Sequence, residues 1–304
     1  DYNGVQQDGA FLYQVTHKNG ERCSAAKGYL TPHLNRPNLK VITRAVTAKI
    51  DVQNHRATGV QFYQGNQLQT VRARREVVVS AGAFGSPQLL QLSGIGAAQD
   101  LQKLGIAITH DLPGVGQNLQ DHIDYVQSWS VPSNTASFGV SLRGTGKALG
   151  AMLEWRKQRS GMITSAIASA GAFFKSHPDV TVPDLQLVFV LAQVDDHARK
   201  QHLGHGISCH VDVLRPYSRG TVGLQSTDPR VAPVIDPRFL SDDRDVQLLL
   251  KGGRVQQRLI ESSAFAPVRG KMMYPVHADD ARAMEQDIRN RADTQYHPVG
   301  TCKM

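Results

Sequence analysis

Cysteine is scarce: the chain has three, Cys23, Cys209 and Cys302, far apart and without any C-x-x-C pair. An odd set at such spacing supports neither a disulfide framework nor a zinc ribbon, and a reducing compartment fits best. Long apolar runs are also missing. The best of them, Leu185 to Val194, carries Gln186 and Gln193 and stops at Asp195-Asp196, well short of the ~18 consecutive apolar residues that span a bilayer. Internal repeats and low-complexity linkers are absent. The first residue is Asp1 rather than Met, and the last are Cys302-Lys303-Met304, so a signal or transit peptide cannot be assessed.

What is there is ordinary globular material. The 304 residues are 40% hydrophobic and 20% charged, with 27 Gly and 14 Pro, and at roughly 150 residues per domain they make two domains. Thirty-four basic against 26 acidic residues give a net charge of +8, which raises nucleic acid or an anionic membrane surface as partners. The basic clusters are modest, at Arg72 to Arg75 and Glu154 to Arg159, and only Trp155 stands among them to stack a base. No zinc-finger or RNA-binding signature accompanies them, so nucleic acid is not expected as a partner.

Along the chain, Phe11 to Thr16 reads as a strand, and Ser24 is placed to cap a helix running toward His33. Leu39 to Thr43, Val46 to Ile50 and Ala57 to Tyr63 read as three sheet runs, the last two around a polar turn. Residues 131 to 182 are rich in Ser, Gly and Ala, with loops and a helix near Lys147 to Lys157. Leu185 to Val194, Gly206 to Val213 and Thr221 to Gln225 are the strongest later strands. Pro216 to Gly220 is read as a hairpin between the last two, making them antiparallel neighbours. Helices are expected over about Ser241 to Glu261, interrupted at Gly252-Gly253, and over Asp279 to Ala292.

The densest passage runs from Glu76 to Gly96. Val77 to Val79 has the continuous apolar character of a strand buried on both faces, and it leads into Ser80-Ala81-Gly82-Ala83, whose small side chains let another surface approach the backbone. Ser86-Pro87 reads as a helix start and Ser93 to Gly96 as its end. A strand end, a small-residue turn and a helix N-terminus together suit a cofactor phosphate or ring, although an ordinary tight connection explains the same residues. Gly94-Ile95-Gly96 is not a dinucleotide fingerprint, because Gln99 holds the third glycine position.

Twelve histidines invite a metal reading, chiefly His202, His205 and His210. Gly204 and Gly206 keep them off one helix, and no metal site is expected. Asp121-His122 and Asp195-Asp196-His197 read as structural. His297 differs. Pro298 holds it out of helical conformation and Gly300 permits a turn just beyond, so its ring stands on a stiff loop. An imidazole with a pKa near ~6.5 suits a general base; a buried or capping histidine explains the loop equally well.

The stretch Gly82, Ala83, Ser86, Pro87, Leu89, Leu90, Ser93, Gly94, Ile95 and Gly96 resembles the second signature of the glucose-methanol-choline (GMC) family of FAD-dependent oxidoreductases. Similar likeness runs through Gly20 to Tyr29, Pro113 to His122, Pro216 to Leu224 and His297 to Met304, in the family's order. The resemblance is strongest to its choline dehydrogenase-like and bacterial aliphatic alcohol dehydrogenase-like branches. It implies that His297 takes the hydroxyl proton of a primary alcohol while hydride passes to flavin N5. It also implies that Thr47, Ser80, Ala81, Gly82 and Tyr296 contact FAD. Thr47 stands where the family usually has valine; the contact is made by backbone.

The fold implied is α+β: an incomplete α/β FAD-binding part over 1–120, with the signature at 82–96, an antiparallel-sheet substrate domain flanked by helices over 121–296, and the start of a C-terminal catalytic and FAD segment over 297–304. The family's Gly-rich pyrophosphate unit is not in this chain, which therefore reads as a central fragment, inactive alone and holding FAD weakly or not at all. Expected partners are a small-molecule alcohol and a quinone or other electron acceptor. The expected location is cytoplasmic, with peripheral association at the inner membrane. A flavoprotein hydroxynitrile lyase of the same fold, and a basic nucleic-acid-binding module, are the alternatives.

Overall fold

A computed structural model describes residues 2–132 and 137–303. Asp1, Met304 and residues 133–136 of the Ser- and Gly-rich stretch lie outside the described residues. The chain begins with β1 (Gly9–Leu12), β2 (His17–Lys18) and β3 (Glu21–Arg22), then one π-helical turn at Ala26–Leu30. Ser24 acts as a cap there, its Oγ accepting from the Lys27 N–H at 3.3 Å, which satisfies one first-turn donor.

Next come β4 (Ala45–Gln53), β5 (Arg56–Gln64) and β6 (Gln67–Arg72), an antiparallel three-stranded sheet with β5 in the middle. The third strand is thus β6 and not Leu39–Thr43, which forms no strand. Gly65 takes φ +62° in the two-residue turn that places β6 beside β5, whereas β-propensity at Leu39–Thr43 has no partner strand to act on. Val77–Val79 likewise forms no strand. Nothing among the described residues pairs with it, and Val78 is 74% exposed.

Helix α1 (Gly82–Leu92) starts earlier than the Ser86-Pro87 signal implied, so Pro87 falls inside it. Gly82 at φ +77° turns the chain into the helix, and the Ser86 Oγ reaches back to accept from the Ala81 N–H at 3.1 Å. After it come β7 (Ile95–Gly96), α2 (Ala98–Lys103) and β8 (His110–Asp111), with β7 and β8 parallel. Then follow β9 (Ile123–Val131), β10 (Gly139–Val140), α3 (Leu142–Gln158), β11 (Ala168–Phe174), β12 (Leu185–Val190) and β13 (Gly204–Val213). Ser141 caps α3 by accepting from the Gly144 N–H at 2.9 Å. The remaining elements are β14 (Thr221–Gly223), β15 (Val234–Asp236), α4 (Asp243–Glu261), α5 (Ala281–Arg291) and β16 (Asp293–Thr294). No helix among the described residues is long and apolar enough to cross a membrane.

These elements fall into two units. The first draws its described residues from Asp1–Arg36, His122–Arg215 and Asp242–Gln295. Its antiparallel seven-stranded sheet has the order β1-β11-β12-β13-β9-β16, with β10 also paired to β13. Alternation along the strands gives it two different faces. Tyr125 and Trp129 of β9 with Ile207, Cys209 and Val211 of β13 are buried on one face, which α4 and α5 cover. Gly252 and Gly253 do not interrupt α4; they let it lie close to the sheet. A Cβ at Gly252 would overlap Val211, and one at Gly253 would stand 3.2 Å from the Met284 Sδ and 3.3 Å from the Tyr125 ring, so the close approach outweighs the helix cost of glycine.

The second unit draws on Pro37–Asp121, Pro216–Ser241 and Tyr296–Met304. Here Pro216–Gly220 is no hairpin back onto β13. Gly220 bridges to Leu119, the Val222 N–H donates to the Gly116 carbonyl at 2.7 Å, and β14 pairs with β15. The backbone donors of Thr221–Gly223 are thus already engaged within this unit.

Candidate active site

The residues singled out from the sequence, Thr47, Ser80, Ala81, Gly82, Tyr296 and His297, all belong to the second unit. The segment around His297 is laid against residues 116–121 by backbone geometry. The Gln120 and Val299 amides exchange hydrogen bonds at 3.0 and 2.8 Å, and the Gly116 N–H donates to the Thr301 carbonyl at 2.8 Å. The Asn118 side chain donates to the Gly300 carbonyl at 3.1 Å, and the His297 N–H donates to the Asp121 Oδ1 at 2.9 Å. Gly300, at φ +94°, is required because a Cβ there would overlap the Asn118 carbonyl. Tyr296 turns the chain just before it at φ +65° and is 61% exposed, a left-handed corner that a large residue takes only when its surroundings impose it.

One further bond joins this segment to the small-residue turn. In α1 the carbonyl of Ala83 would accept from residue 87, but Pro87 has no N–H. The Thr301 hydroxyl donates to that carbonyl at 2.5 Å, and Thr301 is buried. The structure therefore ties Thr301, four residues beyond His297, to the first turn of α1, the helix that follows Ser80 and Ala81. Thr47 stands on β4, whose Ile50 N–H donates to the Ser93 Oγ at 2.8 Å at the other end of α1.

The surroundings of this turn suit a large planar group carrying phosphates. Ser80, Ala81 and Gly82 are exposed, and a Cβ built on Gly82 meets nothing within 4 Å. The first-turn amides of an α-helix lack intrahelical acceptors and favour an anion. Small exposed side chains, open space and such amides make a cradle that FAD would fit.

The first unit offers a different chemistry. On the sheet face away from α4, Asp124, Ser128, Ser208, His210 and Asp212 stand in register on β9 and β13 and are all buried. The His210 Nδ1 lies 2.6 Å from the Asp124 Oδ2, and the His197 Nε2 lies 3.8 Å from the same oxygen. Burial pushes the Asp124 carboxyl well up, against the lowering effect of the bond from Asp212, and pushes the His210 imidazole down to about 4. Both shifts disfavour the charged form, because neither charge is solvated there. His197 is also lowered, first by burial.

The three histidines considered for metal take separate partners. His202 bonds Asp195 at 2.6 Å, His205 lies between Ser137 and Ser141, and His210 faces Asp124. Burial alone would raise Asp195, but bonds from His202 and from the Tyr274 hydroxyl hold it below the usual carboxylate range. Asp121 and Thr301 are the residues that sequence reasoning missed as supports of His297. The signal for Thr301 was available: a proline inside a helix leaves a free carbonyl four residues back. Nothing in the sequence pointed Asp121 at an amide 176 residues away.

With that geometry in hand, likeness to known proteins becomes interpretable. Two family models, both described as GMC oxidoreductase, match residues 1–124 and 216–304. An alcohol dehydrogenase [acceptor] of Pseudomonas putida is 40% identical over 309 residues, covering all of this chain and 55% of that protein. The mitochondrial choline dehydrogenase of Mus musculus is 38% identical over 309 residues, covering all of this chain and 51% of that protein. A formate oxidase of Aspergillus oryzae superimposes with a TM-score of 0.84 at 26% identity, over 94% of this chain and 54% of its own. The chain spans about half the length of the curated relatives it matches.

Proposed function

This chain belongs to the GMC oxidoreductase family, and from that membership we propose that it carries the proton-accepting half of an FAD-dependent oxidation of a primary alcohol. The observation that supports this reading is the attachment of the His297 segment to the first turn of α1 through Thr301 and Ala83. In this reading the second unit holds FAD. Ser80, Ala81 and Gly82, the backbone of Thr47, and Tyr296 are the residues that contact it. Residues 121–296 are the proposed substrate-binding domain. FAD, when bound, supplies the acceptor for the hydride that leaves the alcohol's α-carbon.

The work of the chain itself is to place the alcohol and take up its proton. The His297 imidazole accepts the hydroxyl proton of the alcohol, which makes the oxygen a far stronger electron donor to its own carbon; a positioned general base contributes about 10² to 10⁴ in rate. Asp121 fixes the His297 main chain from one side and Thr301 fixes the segment beyond it, so the backbone that carries the ring is held in place. The alcohol dehydrogenase and choline dehydrogenase relatives favour a primary alcohol. A quinone-type acceptor and a peripheral position at the cytoplasmic side of the inner membrane complete the proposal.

The test is anaerobic mixing of a primary alcohol with the flavin-loaded protein expressed from its complete gene. Bleaching of the flavin, slowed about 10²-fold or more by His297→Ala, is the expected result. A flavin that stays oxidised while the substrate is turned over would overturn the redox reading in favour of lyase chemistry.

A further inference from the structure

Helix α3 is amphipathic in the wrong sense for a soluble surface. At about 100° per residue, Leu142, Leu149 and Leu153 share an arc of roughly 40°, and the only buried residue of the helix, Ala151, lies about 180° from it. The leucines therefore point straight away from the first unit. Leu142 is 95% and Leu153 62% exposed. The stripe continues past the helix start onto Val140, which bridges to Leu203, and Leu203 is 86% exposed. Beneath the helix, its inner side lines a cavity of about 400 Å³ together with Phe138, Met162 and Ile163. Packing in the first unit does not account for where these leucines point.

Charge supplies the identity of what covers them. Arg156 and Lys157 flank the stripe on either side, Arg143 stands near its start, and none of the three pairs with any described residue. The one acid of the helix is Glu154. Arg159, at the C-cap, is already engaged by Glu21 at 2.7 Å and lies over the Trp155 ring. An apolar stripe bordered by unpaired cations complements a surface that is apolar inside and anionic at its rim.

We propose that α3, with Val140 and Leu203, is the element by which this protein docks on an anionic lipid bilayer. The leucines enter the acyl boundary while Arg143, Arg156 and Lys157 meet the headgroup phosphates. The inference rests on the peripheral membrane position proposed above and names the element that makes it. Lipid binding that the leucine pair leaves unaltered sinks this element alone, whereas no binding to either vesicle sinks the membrane position with it.

The experiment is co-sedimentation of the purified chain with vesicles of phosphatidylcholine, with and without phosphatidylglycerol. Binding to the phosphatidylglycerol vesicles is expected, weakening as salt rises. Leu149→Glu with Leu153→Glu should weaken it about tenfold or more, and each of Arg156→Gln and Lys157→Gln about fivefold, with circular dichroism unchanged. Equal binding to both vesicle types, or binding that the leucine pair does not alter, overturns the proposal. So does a wild-type dimer that Leu149→Glu with Leu153→Glu converts to monomer, since the stripe would then serve a second copy of the chain.

Discussion

The two units are held together by different means. The first rests on side-chain burial: long strands β9, β12 and β13 lay Tyr125, Trp129, Leu187 and Val211 into a core closed by α4 and α5. The second rests more on main-chain stitches. Short pieces far apart in sequence, residues 116–121, 220–222 and 297–301, are fastened amide to carbonyl with few large side chains between them. Burial tolerates changes that keep volume and polarity, whereas a stitched site tolerates few changes at its glycines and hydroxyls. The proposed proton acceptor lies in the stitched unit, where small backbone displacements move the ring most directly.

The largest effect that separates the two is expected from Trp129→Ala. Removing this fully buried ring should cost about 3–5 kcal/mol of the first unit's stability in urea unfolding. The amides of Gln120 and Val299 should keep their hydrogen-exchange protection. Loss of protection at Val299 in step with the core would show that the units are one cooperative body and break the contrast.

A somewhat smaller effect follows from the buried His210. Its native pKa of about 4 lies below the ~6.5 of an unfolded chain, so between these values the unfolded state binds a proton that the native state refuses. Stability from this group is fully present above the unfolded value. Its own contribution falls by about 3 kcal/mol as pH drops through the window, opposed by the raised Asp124 carboxyl, which gains stability as pH falls. Thermal unfolding from pH 7 to pH 4 checks it, with His210→Asn as the reference that should remove most of the slope. An identical slope in the variant would assign the acid sensitivity to other groups.

The smallest effect sharpens the second half of the comparison. Thr301→Val leaves the Ala83 carbonyl without a donor and should cost about 1–2 kcal/mol. The loss should appear as faster exchange at Val299 and Gln120 while the first unit's melting is unmoved. Pro87→Ala restores an N–H to that carbonyl, so the double variant should recover part of the loss in a double-mutant cycle. Additive effects would mean that the hydroxyl and the proline act independently.

Much of this organisation was legible beforehand. The β4–β5 hairpin, the buried face of α4 through Val246, Leu249 and Leu250, and the helix of residues 281–291 follow from hydrophobic period and capping, which are local properties. Three readings failed for one shared reason. Leu39–Thr43 and Val77–Val79 have strand composition but no partner, and Pro216–Gly220 has turn composition but leads into the other unit. Pairing is a property of neighbours in space, so residue composition alone does not decide it.

The residues themselves determined the family resemblance, the α+β class and the stiff loop on which His297 stands, because each depends on residue identity and near neighbours along the chain. Only the tertiary structure decided that Thr301 answers the carbonyl freed by Pro87, that Asp121 grips the His297 amide, that Asp124 and His210 share a dry sheet face, and that α3 turns its leucines outward. Each of these depends on which distant segment lies opposite. That is fixed by the summed packing of the whole chain and written at no single position.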